Sequence, residues 1–285
     1  MYKYLCTIVS ILFFISCHHN RKHIAADKLV KANYLSQYNF EKPDVTIELP
    51  KELKEISGIS FLNDSVIAVI SDGKPYLYFY NIYQQEIINK IEVASGSDFE
   101  DVTVCGDTAF ILQSNGKLWV IANYNKIPVI TSVILPLKAP FELEGLCHNY
   151  TKDTLFIAAK YWHEEEIFTI NELPVWAFST KQMRLIEKPL FYISTAIASG
   201  KKNHLFHTSG FMLVGSPTCW IFISTNKKYI TQLDYGGIKD SIISLESDEF
   251  TQPEGIDMNS VGTIYISNEG KDDKATILQF NRKQQ

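Results

Sequence analysis

The sequence predicts an all-β fold, specifically a five-bladed β-propeller that is closed by a strand from the N-terminal side. Short runs of β-branched and aromatic residues, such as 66–70, 221–223 and 263–266, are typical of strands. A short motif returns five times at the spacing of propeller blades, and the chain ends one strand short of a complete last blade. A length of 285 residues suits one such domain.

The N-terminus is predicted to be a targeting signal rather than part of the fold. An apolar run of about a dozen residues follows Lys3, which is too short for the ~20 residues that a membrane-spanning helix needs. The run ends in Ile15-Ser16-Cys17, where a small residue precedes a cysteine, and this resembles the lipobox of bacterial lipoproteins. We therefore assign residues 1–16 to a signal peptide and expect a lipid on Cys17. Cleavage of an ordinary signal peptide nearby is the alternative.

Residues 17–43 are predicted to be a polar tether that joins the lipid to a propeller domain of residues 44–285. These assignments place the protein in the cell envelope, attached to the membrane through the lipid. No acidic cluster directly follows Cys17, so we expect the domain to face the periplasm. A secreted or periplasmic soluble protein is the alternative.

The repeated motif is clearest where Pro253-Glu-Gly-Ile256 aligns with Leu143-Glu-Gly-Leu146. The five aligned positions, here called the ring residues, are Ser57, Glu100, Glu144, Ser209 and Glu254. They are separated by 43, 44, 65 and 45 residues. Because four-stranded blades repeat every ~40 to 50 residues, the long step is one blade plus an insertion. A six-bladed ring is the alternative, if residues 191–206 contain a further blade.

Each ring residue is followed, 14 to 16 positions later, by a polar residue at the end of the next apolar run. These residues are Asp72, Ser114, Lys160, Ser224 and Glu269. Such spacing predicts a hairpin whose two ends meet at one face of the domain. Third strands are expected at Tyr76–Tyr80, Lys117–Ile121, Val175–Ser179, Tyr229–Leu233 and Thr276–Phe280. Outer strands follow at 87–93, 129–135 and 185–189, and Val45–Glu48 is predicted to complete the last blade, which removes its exposed edge.

These motifs resemble those of the SdiA-regulated family of bacterial propellers, distant relatives of the NHL-repeat propellers. The segments that carry the resemblance are Lys54-Glu-Ile-Ser-Gly-Ile59, Asp98-Phe-Glu-Asp-Val102, Glu142-Leu-Glu-Gly-Leu146, Ser209-Gly210, Gln252-Pro-Glu-Gly-Ile256 and Ile266-Ser-Asn-Glu-Gly270. The resemblance implies a five-bladed propeller with bound calcium and a molecular function that is largely unsettled. Residues 211–216 are more apolar than the family pattern, which makes the fourth blade the least typical.

The innermost strands of a propeller line a channel, so the ring residues are expected to surround its opening. Three of them, Glu100, Glu144 and Glu254, carry carboxylates, which repel one another unless they are protonated or bridged by a cation. Calcium binds six to eight oxygen ligands and is available to an exported protein, so these glutamates are predicted calcium ligands. Alternatively, each glutamate accepts hydrogen bonds from the next blade and joins the blades without a metal.

Other polar residues near the motifs are candidates for the channel opening or for contacts behind the ion. They are Ser57, Ser209, Glu55, Asp72, Asp98, Lys160 and Glu269. For the acids, the alternative is an ordinary solvated loop. Lys160 is expected to offset the acidic ring in part, or to form a simple salt bridge with Glu144.

The net charge of -5, with both signs interspersed, gives no reason to expect a nucleic-acid partner. The chain contains no Gly-x-Ser-x-Gly, His-Glu-x-x-His or phosphate-binding loop motif. We therefore expect a monomeric, envelope-tethered calcium-binding propeller that presents its channel opening to a small ligand or a protein partner. One alternative is a calcium-dependent hydrolase of phosphate or lactone esters, for which only Lys160 and His207 lie near the motifs. The other is a structural scaffold without metal.

Overall fold

Five antiparallel sheets build the protein, and each sheet is one blade of a propeller. The structure is a computed structural model that describes residues 33–94, 98–137, 141–149, 153–162, 172–194, 206–215, 218–226, 228–271 and 273–284. The predicted all-β, five-bladed fold is therefore confirmed. The predicted signal peptide, Cys17 and the first part of the predicted tether lie outside the described residues.

The strands follow the order of the chain within each blade, after one strand that precedes the first complete blade. That strand is β1 (Val45–Glu48). Blade 1 contains β2 (Ile56–Phe61), β3 (Val66–Ser71), β4 (Tyr76–Asn81) and β5 (Glu86–Glu92). Blade 2 contains β6 (Phe99–Cys105), β7 (Thr108–Gln113), β8 (Lys117–Ala122) and β9 (Val129–Ile134).

The third blade has one strand more than the others. It contains β10 (Phe141–Asn149), β11 (Thr154–Trp162), β12 (Glu172–Ser179), β13 (Arg184–Leu185) and β14 (Phe191–Ser194). Blade 4 contains β15 (Gly210–Gly215), β16 (Thr218–Ser224), β17 (Tyr229–Asp234) and β18 (Lys239–Ser244). Blade 5 contains β19 (Pro253–Met258), β20 (Ile264–Asn268) and β21 (Thr276–Phe280).

β1 completes blade 5, as the sequence predicts. It pairs antiparallel with β21, with Val45 opposite Gln279 and Glu48 opposite Thr276. The last blade therefore combines strands from both parts of the chain, and the pairing covers the edge that β21 would otherwise expose.

The insertion before blade 4 begins with a strand of blade 3 rather than with a sixth blade. Both β13 and β14 pair with β12, so that Leu185 lies opposite Phe178 and Phe191 lies opposite Val175. The remainder of the insertion, residues 195–205, lies outside the described part of the chain.

The inner strands are buried on both faces, whereas the outer strands are largely exposed. β3 is buried at five of its six positions, and β5 has no buried position. This is why β3 reads as a continuous apolar run, whereas the outermost strand carries charged residues. Trp220 of β16 illustrates the packing between blades. Its fully buried ring meets Phe156 of blade 3 edge-on at 4.7 Å and stacks on Tyr235 at 5.6 Å.

Residues 33–40 form an N-terminal strap that packs on blades 4 and 5. A short 3-10 helix, Tyr34–Gln37, begins the strap, and the side chains of Tyr34, Leu35, Tyr38 and Phe40 are buried. The Leu35 N–H donates to Gln232 Oε1 (3.2 Å), and the Tyr38 hydroxyl donates to the Gly262 carbonyl (2.7 Å). The prediction of a polar tether up to residue 43 is therefore wrong for these residues, because three aromatic rings and a leucine are removed from water here.

The direction of the strands defines two faces. The first strand of each blade begins at the face that carries the ring residues, here called the mouth. The turns between first and second strands, and between third and fourth strands, lie on the opposite face, here called the base. The Tyr34 hydroxyl bonds to Met258 at the base end of β19, and Phe40 lies 5.0 Å from Phe280 at the base end of β21. In the described part of the chain, no helix has the length and apolar character needed to cross a bilayer.

Candidate metal centre at the mouth

Irregular strand pairing places the ring residues. In β6, Phe99 and Asp101 pair with Gln113 and Leu112, which are adjacent residues of β7, so Glu100 is an extra, unpaired residue. The same slip occurs in three other first strands, at Glu144, between Ile56 and Ile59, and between Pro253 and Ile256. Such a bulge interrupts the alternation of side chains and re-aims one of them. Here the bulges lie where these four first strands leave the mouth, whereas β15, which follows Ser209, pairs regularly with β16.

Four glutamates and one lysine, here called the acidic cluster, meet at the mouth. Each of Glu100, Glu142 and Glu144 has a carboxylate oxygen within 4.8 Å of those of the other two. Glu254 is not part of this close group, but the charge on Glu144 reaches it and raises its pKa. The Lys160 ammonium donates to Glu144 and lies 3.4 Å from Glu142 Oε1. Residues that are far apart in sequence are thus brought together as the repeat predicts, and Glu142 joins them.

Burial and nearby negative charges raise the pKa values of Glu100, Glu144 and Glu254. Burial and the charge on Glu144 raise the pKa of Glu100 to about 10. Burial raises the pKa of Glu144 to about 7, although Lys160 acts in the opposite direction. Burial and the charge on Glu144 raise the pKa of Glu254 to about 8. Without a further cation, the cluster therefore retains protons at neutral pH.

Lys160 remains charged in this setting. Burial by itself lowers the pKa of an ammonium, but the charge of Glu144 and the hydrogen bond to it more than offset this, so the pKa of Lys160 is raised. One ammonium thus faces four carboxyl groups, and it compensates only part of the negative charge.

Gln252 links the cluster to the next acid along the mouth. Its side-chain amide donates to Glu254 Oε1 (2.7 Å) and also to Glu269. Burial and the nearby charge on Glu55 raise the pKa of Glu269. Glu269 and Glu55 therefore lie beside the cluster and extend the acidic surface toward blade 1.

Asp72 and Asp98 organise the adjacent loops. Asp72 Oδ1 accepts from the backbone N–H groups of Gly73 (2.7 Å) and Asp98 (3.2 Å), and the Asp98 carboxylate accepts from the Ser114 hydroxyl. Their charges add to those that raise the pKa of Glu100. These two aspartates therefore fix loop geometry and strengthen the negative field at the mouth.

The two ring serines lie at junctions between blades. The Ser209 hydroxyl donates to the Pro253 carbonyl (2.8 Å), which joins blades 4 and 5. The Ser57 carbonyl accepts from the Ser267 hydroxyl (2.8 Å), which joins blades 1 and 5. A Cβ at Gly255, next to Glu254, would lie 2.7 Å from the Ser57 oxygen, so glycine is needed for this close approach.

Two buried aspartates, Asp101 and Asp257, join neighbouring blades and were not identified from the sequence. Asp101 Oδ2 accepts from the Leu146 N–H (2.7 Å), and Asp257 Oδ2 accepts from the Phe61 N–H (2.8 Å). The sequence signal is an acid inside an apolar strand, as in Asp101-Val-Thr-Val104. Among the described residues, the hydrogen bonds of Glu100, Glu144 and Glu254 go to other side chains and none to a backbone N–H of a neighbouring blade.

Glu142 was also missed, although the sequence contains a signal for it. It lies two residues before Glu144 in β10, and side chains at this spacing share a face of a strand. The bulge at Glu144 modifies the alternation but leaves the two carboxylates adjacent.

Below the cluster the channel narrows. Residues of all five blades line it at this level, among them the apolar Ile59, Val102, Leu146, Phe211 and Ile256 and the polar Thr103, His148 and Asp257. The cavity at this level has a volume of about 10 Å³, which is enough for about one water molecule. A ligand therefore reaches the cluster from the mouth. The position of Phe211 in this wall also supports the alignment of blade 4 with the other blades.

Solved structures with the same fold come from proteins of different kinds. A glutaminyl cyclase from Myxococcus xanthus aligns with a TM-score of 0.59 at 8% identity, over 84% of this chain and 94% of that chain. A protein of unknown function from Bacteroides thetaiotaomicron aligns with a TM-score of 0.54 at 11% identity, over 80% of this chain and 56% of that chain. A chain of a nidogen/laminin complex aligns with a TM-score of 0.51 at 12% identity, over 76% of this chain and 73% of that chain. At such identities, the likeness extends to the fold alone.

No curated protein matches the chain by sequence. The sequence model of one family, described as SdiA-regulated, matches residues 31–271, a range that includes all five ring residues and the N-terminal strap. The chain therefore belongs to the SdiA-regulated family.

Proposed function

We propose that this protein binds a divalent cation, calcium, at its mouth through Glu100, Glu144 and Glu254, with Glu142 as a further ligand. The observation that carries this proposal is the spacing of the carboxylate oxygens of Glu100, Glu142 and Glu144, which lie within 4.8 Å of one another. Ligand oxygens at 2.3–2.6 Å from a calcium ion are separated by up to roughly 5 Å across the ion, so the spacing suits a shared cation.

The chemistry of the donors favours calcium over a transition metal. The close group of potential ligands consists of carboxylates, with no thiolate or imidazole among its described members. Oxygen-only sites suit hard cations, and calcium accepts irregular geometry more readily than magnesium does. A cation at this position would also take the place of the protons that the raised pKa values of Glu100, Glu144 and Glu254 imply.

We further propose that the ion is presented to a partner while the protein is held in the cell envelope by a lipid on Cys17. The channel narrows beneath the cluster, so the open coordination positions of a bound ion face the mouth. The partner is a small ligand or a protein with oxygen donors, such as carboxylates, that complete the coordination. In this proposal the protein acts as a monomer and is not a catalyst.

The second candidate function is the hydrolysis of phosphate or lactone esters. The observation that favours it is the position of His207. Burial and the charge of Lys160 lower the pKa of His207, although the charge of Glu142 acts in the opposite direction. His207 thus lies within electrostatic range of the cluster. In such an enzyme, calcium would polarise the ester and a neighbouring group would activate water.

The test is the metal content of the purified protein together with its melting temperature in calcium and in chelator. A bound ion that favours the folded state raises the melting temperature with increasing concentration. Glu100→Gln, Glu144→Gln and Glu254→Gln should each remove most of this rise. Glu86→Gln, at an exposed position of β5 on blade 1, is the matched control and should leave it unchanged.

Three outcomes separate the alternatives. Protein that contains no calcium and melts at the same temperature in both conditions is a scaffold without metal, and the proposal fails. Protein that binds calcium and turns over phosphomonoesters or lactones only in its presence is a hydrolase, and loss of turnover in His207→Gln would support that role. Binding without turnover supports the proposed function.

A further inference from the structure

We propose that the base of the propeller is a membrane-contact surface that lies on an anionic phospholipid bilayer, so that the mouth points away from the membrane. The orientation of the mouth rests on the lipid on Cys17 proposed above, whereas the contact surface itself does not. The proposed partner of the base is a lipid surface.

The first observation is the position of the exposed apolar side chains. Turns at the base carry Tyr83, Ile127, Ile238 and Val261, whose exposed fractions are 71%, 83%, 65% and 72%. The first three lie between the third and fourth strands of blades 1, 2 and 4, and Val261 lies between the first and second strands of blade 5. Within the described part of the chain, no turn at the mouth carries an exposed large apolar residue.

Four apolar tips on one face of four different blades form a ring rather than a patch. Such a ring suits a planar, deformable partner better than a groove-shaped one. Isolated tyrosine and aliphatic side chains at a surface rim enter the headgroup region of a bilayer, where an apolar body and a polar tip are both accommodated.

The second observation is the course of the N-terminal strap. Asn33 accepts a hydrogen bond from Ser241 (3.1 Å) in the half of blade 4 nearer the base, and the strap runs from there along the base ends of β19 and β21. Asn33 lies sixteen positions after Cys17, a span of at most about 55 Å when fully extended. A lipid on Cys17 would therefore keep the domain within about 55 Å of the bilayer, and the point of attachment would lie at the base side. The apolar tips would then select this orientation over others that the span permits.

Charge acts in the same direction. The acidic cluster and the neighbouring acids give the mouth a negative field, which an anionic leaflet repels. At the base, Lys126 is next to Ile127 and Lys239 is next to Ile238. Aspartates also lie on the base: Asp240 follows Lys239, and Asp234 accepts hydrogen bonds from the backbone N–H groups of Gly236 and Ile238 (both 2.9 Å). The base is therefore of mixed charge, and its attraction to lipid is mainly apolar.

The experiment measures binding of the full chain to vesicles of phosphatidylethanolamine and phosphatidylglycerol. A Cys17→Ser chain, which carries no lipid, should still sediment with the vesicles. Replacing Tyr83, Ile127 and Ile238 together by serine should lower its partition coefficient at least tenfold. The control replaces Ile88, Ile134 and Tyr192 by serine, which are also exposed (48%, 67% and 50%) but lie in outer strands, and this variant should bind like the parent.

Orientation is tested on the lipidated chain in a Cys105→Ala background. A bimane label on Val261→Cys should be quenched by brominated phospholipid, and a label on Lys271→Cys, in the mouth loop after β20, should not be. Equal quenching of the two labels, or a serine triple variant that binds as well as its parent, would overturn the proposal. Melting temperatures of the variants confirm that they are folded.

Failure of the tethering and failure of the base surface give different results. If mass spectrometry finds no lipid on Cys17 but vesicle binding still depends on the three tips, the membrane-contact surface is supported and the lipid anchor is wrong. If the lipid is present and the Val261 label is not quenched, the lipid anchor is supported and the membrane-contact surface is wrong.

Discussion

Lys160 and Glu144 meet as the two residues that the strand register skips in facing bulges. Leu143 and Gly145 of β10 pair with Ala159 and Ala158 of β11, so the register passes over Glu144. Glu142 and Leu143 pair with Tyr161 and Ala159, so it also passes over Lys160. Each bulge re-aims its side chain, and together they bring an ammonium group onto a carboxylate at the centre of the mouth. The cluster thus contains a cation of its own, which competes with any ion from solution.

Removing this internal cation should strengthen calcium binding. In Lys160→Met, the carboxylates lose the ammonium that holds Glu144, so we expect calcium to bind at least tenfold more tightly, as measured by calorimetry. A tenfold change is about 1.4 kcal/mol, well below the roughly 4 kcal/mol that two unit charges gain at 4 Å near a protein surface. Lys160→Arg keeps the charge and should bind calcium like the parent. Unchanged or weaker binding by Lys160→Met would show that Lys160 does not compete for the site.

The stability of the metal-free protein should fall as the pH rises from about 5 to 8. The pKa values of Glu144, about 7, and Glu254, about 8, exceed the ~4.3 of an unfolded glutamate, so the folded chain binds more protons than the unfolded chain over this range. A calcium ion binds the deprotonated carboxylates. Its stabilising effect should therefore be larger at pH 8 than at pH 5.5. Denaturant unfolding at both values, with calcium and with chelator, measures this, and an equal effect at both would contradict it.

The repeat made the blade count and the meeting of Glu100, Glu144 and Glu254 predictable, because blade spacing and strand direction alone determine which residues share the mouth. The bulges were not predictable, since nothing in the composition of Asp98-Phe-Glu-Asp-Val102 distinguishes a slipped register from a regular one. The detailed contacts of the mouth depend on these slips, so the sequence indicated which residues gather but not which of them bond.

The strap was misassigned for a different reason. Lys28, Lys31 and the polar residues near them indicate a solvated tether, but the composition changes before residue 43. Tyr34, Leu35, Tyr38 and Phe40 follow within seven positions, and aromatic residues at such density are seldom left in water. Their burial against two blades depends on tertiary contacts that no local pattern specifies.

Asp101 should matter for stability and not for calcium. In Asp101→Ala, the buried N–H of Leu146 loses its acceptor, which costs about 1–3 kcal/mol of unfolding free energy. Urea denaturation in chelator should report this loss, and the calcium affinity should stay within twofold of the parent. Asp107→Ala, an exposed aspartate in the turn after β6, is the control and should change neither quantity. A loss of calcium binding equal to that of Glu100→Gln would instead assign Asp101 to the metal site.

Gly255 should tolerate no side chain. The Cβ of Gly255→Ala would lie 2.7 Å from the Ser57 carbonyl oxygen and 2.7 Å from the Ser267 hydroxyl, so blades 1 and 5 would have to separate. Such overpacking costs about 1–3 kcal/mol, and the shift would also displace the neighbouring Glu254 and weaken calcium binding. Gly215→Ala, at the exposed end of β15, should leave stability and affinity unchanged, because no described atom lies within 4 Å of the added Cβ. An undisturbed melting temperature for Gly255→Ala would show that the blades are not in close contact there.

The strap should contribute to the stability of the propeller as a core element does. Leu35 is fully buried, and Leu35→Ala should lower the unfolding free energy by about 2–5 kcal/mol, because it removes apolar contacts and leaves a cavity between the strap and blade 4. Glu41→Ala, exposed six residues later, should have no measurable effect. Urea unfolding of the two variants beside the parent measures the difference. If residues 33–40 acted as a tether, Leu35→Ala would unfold at the same denaturant concentration as the parent. A single transition with a lower midpoint would show instead that the strap unfolds together with the blades that it joins.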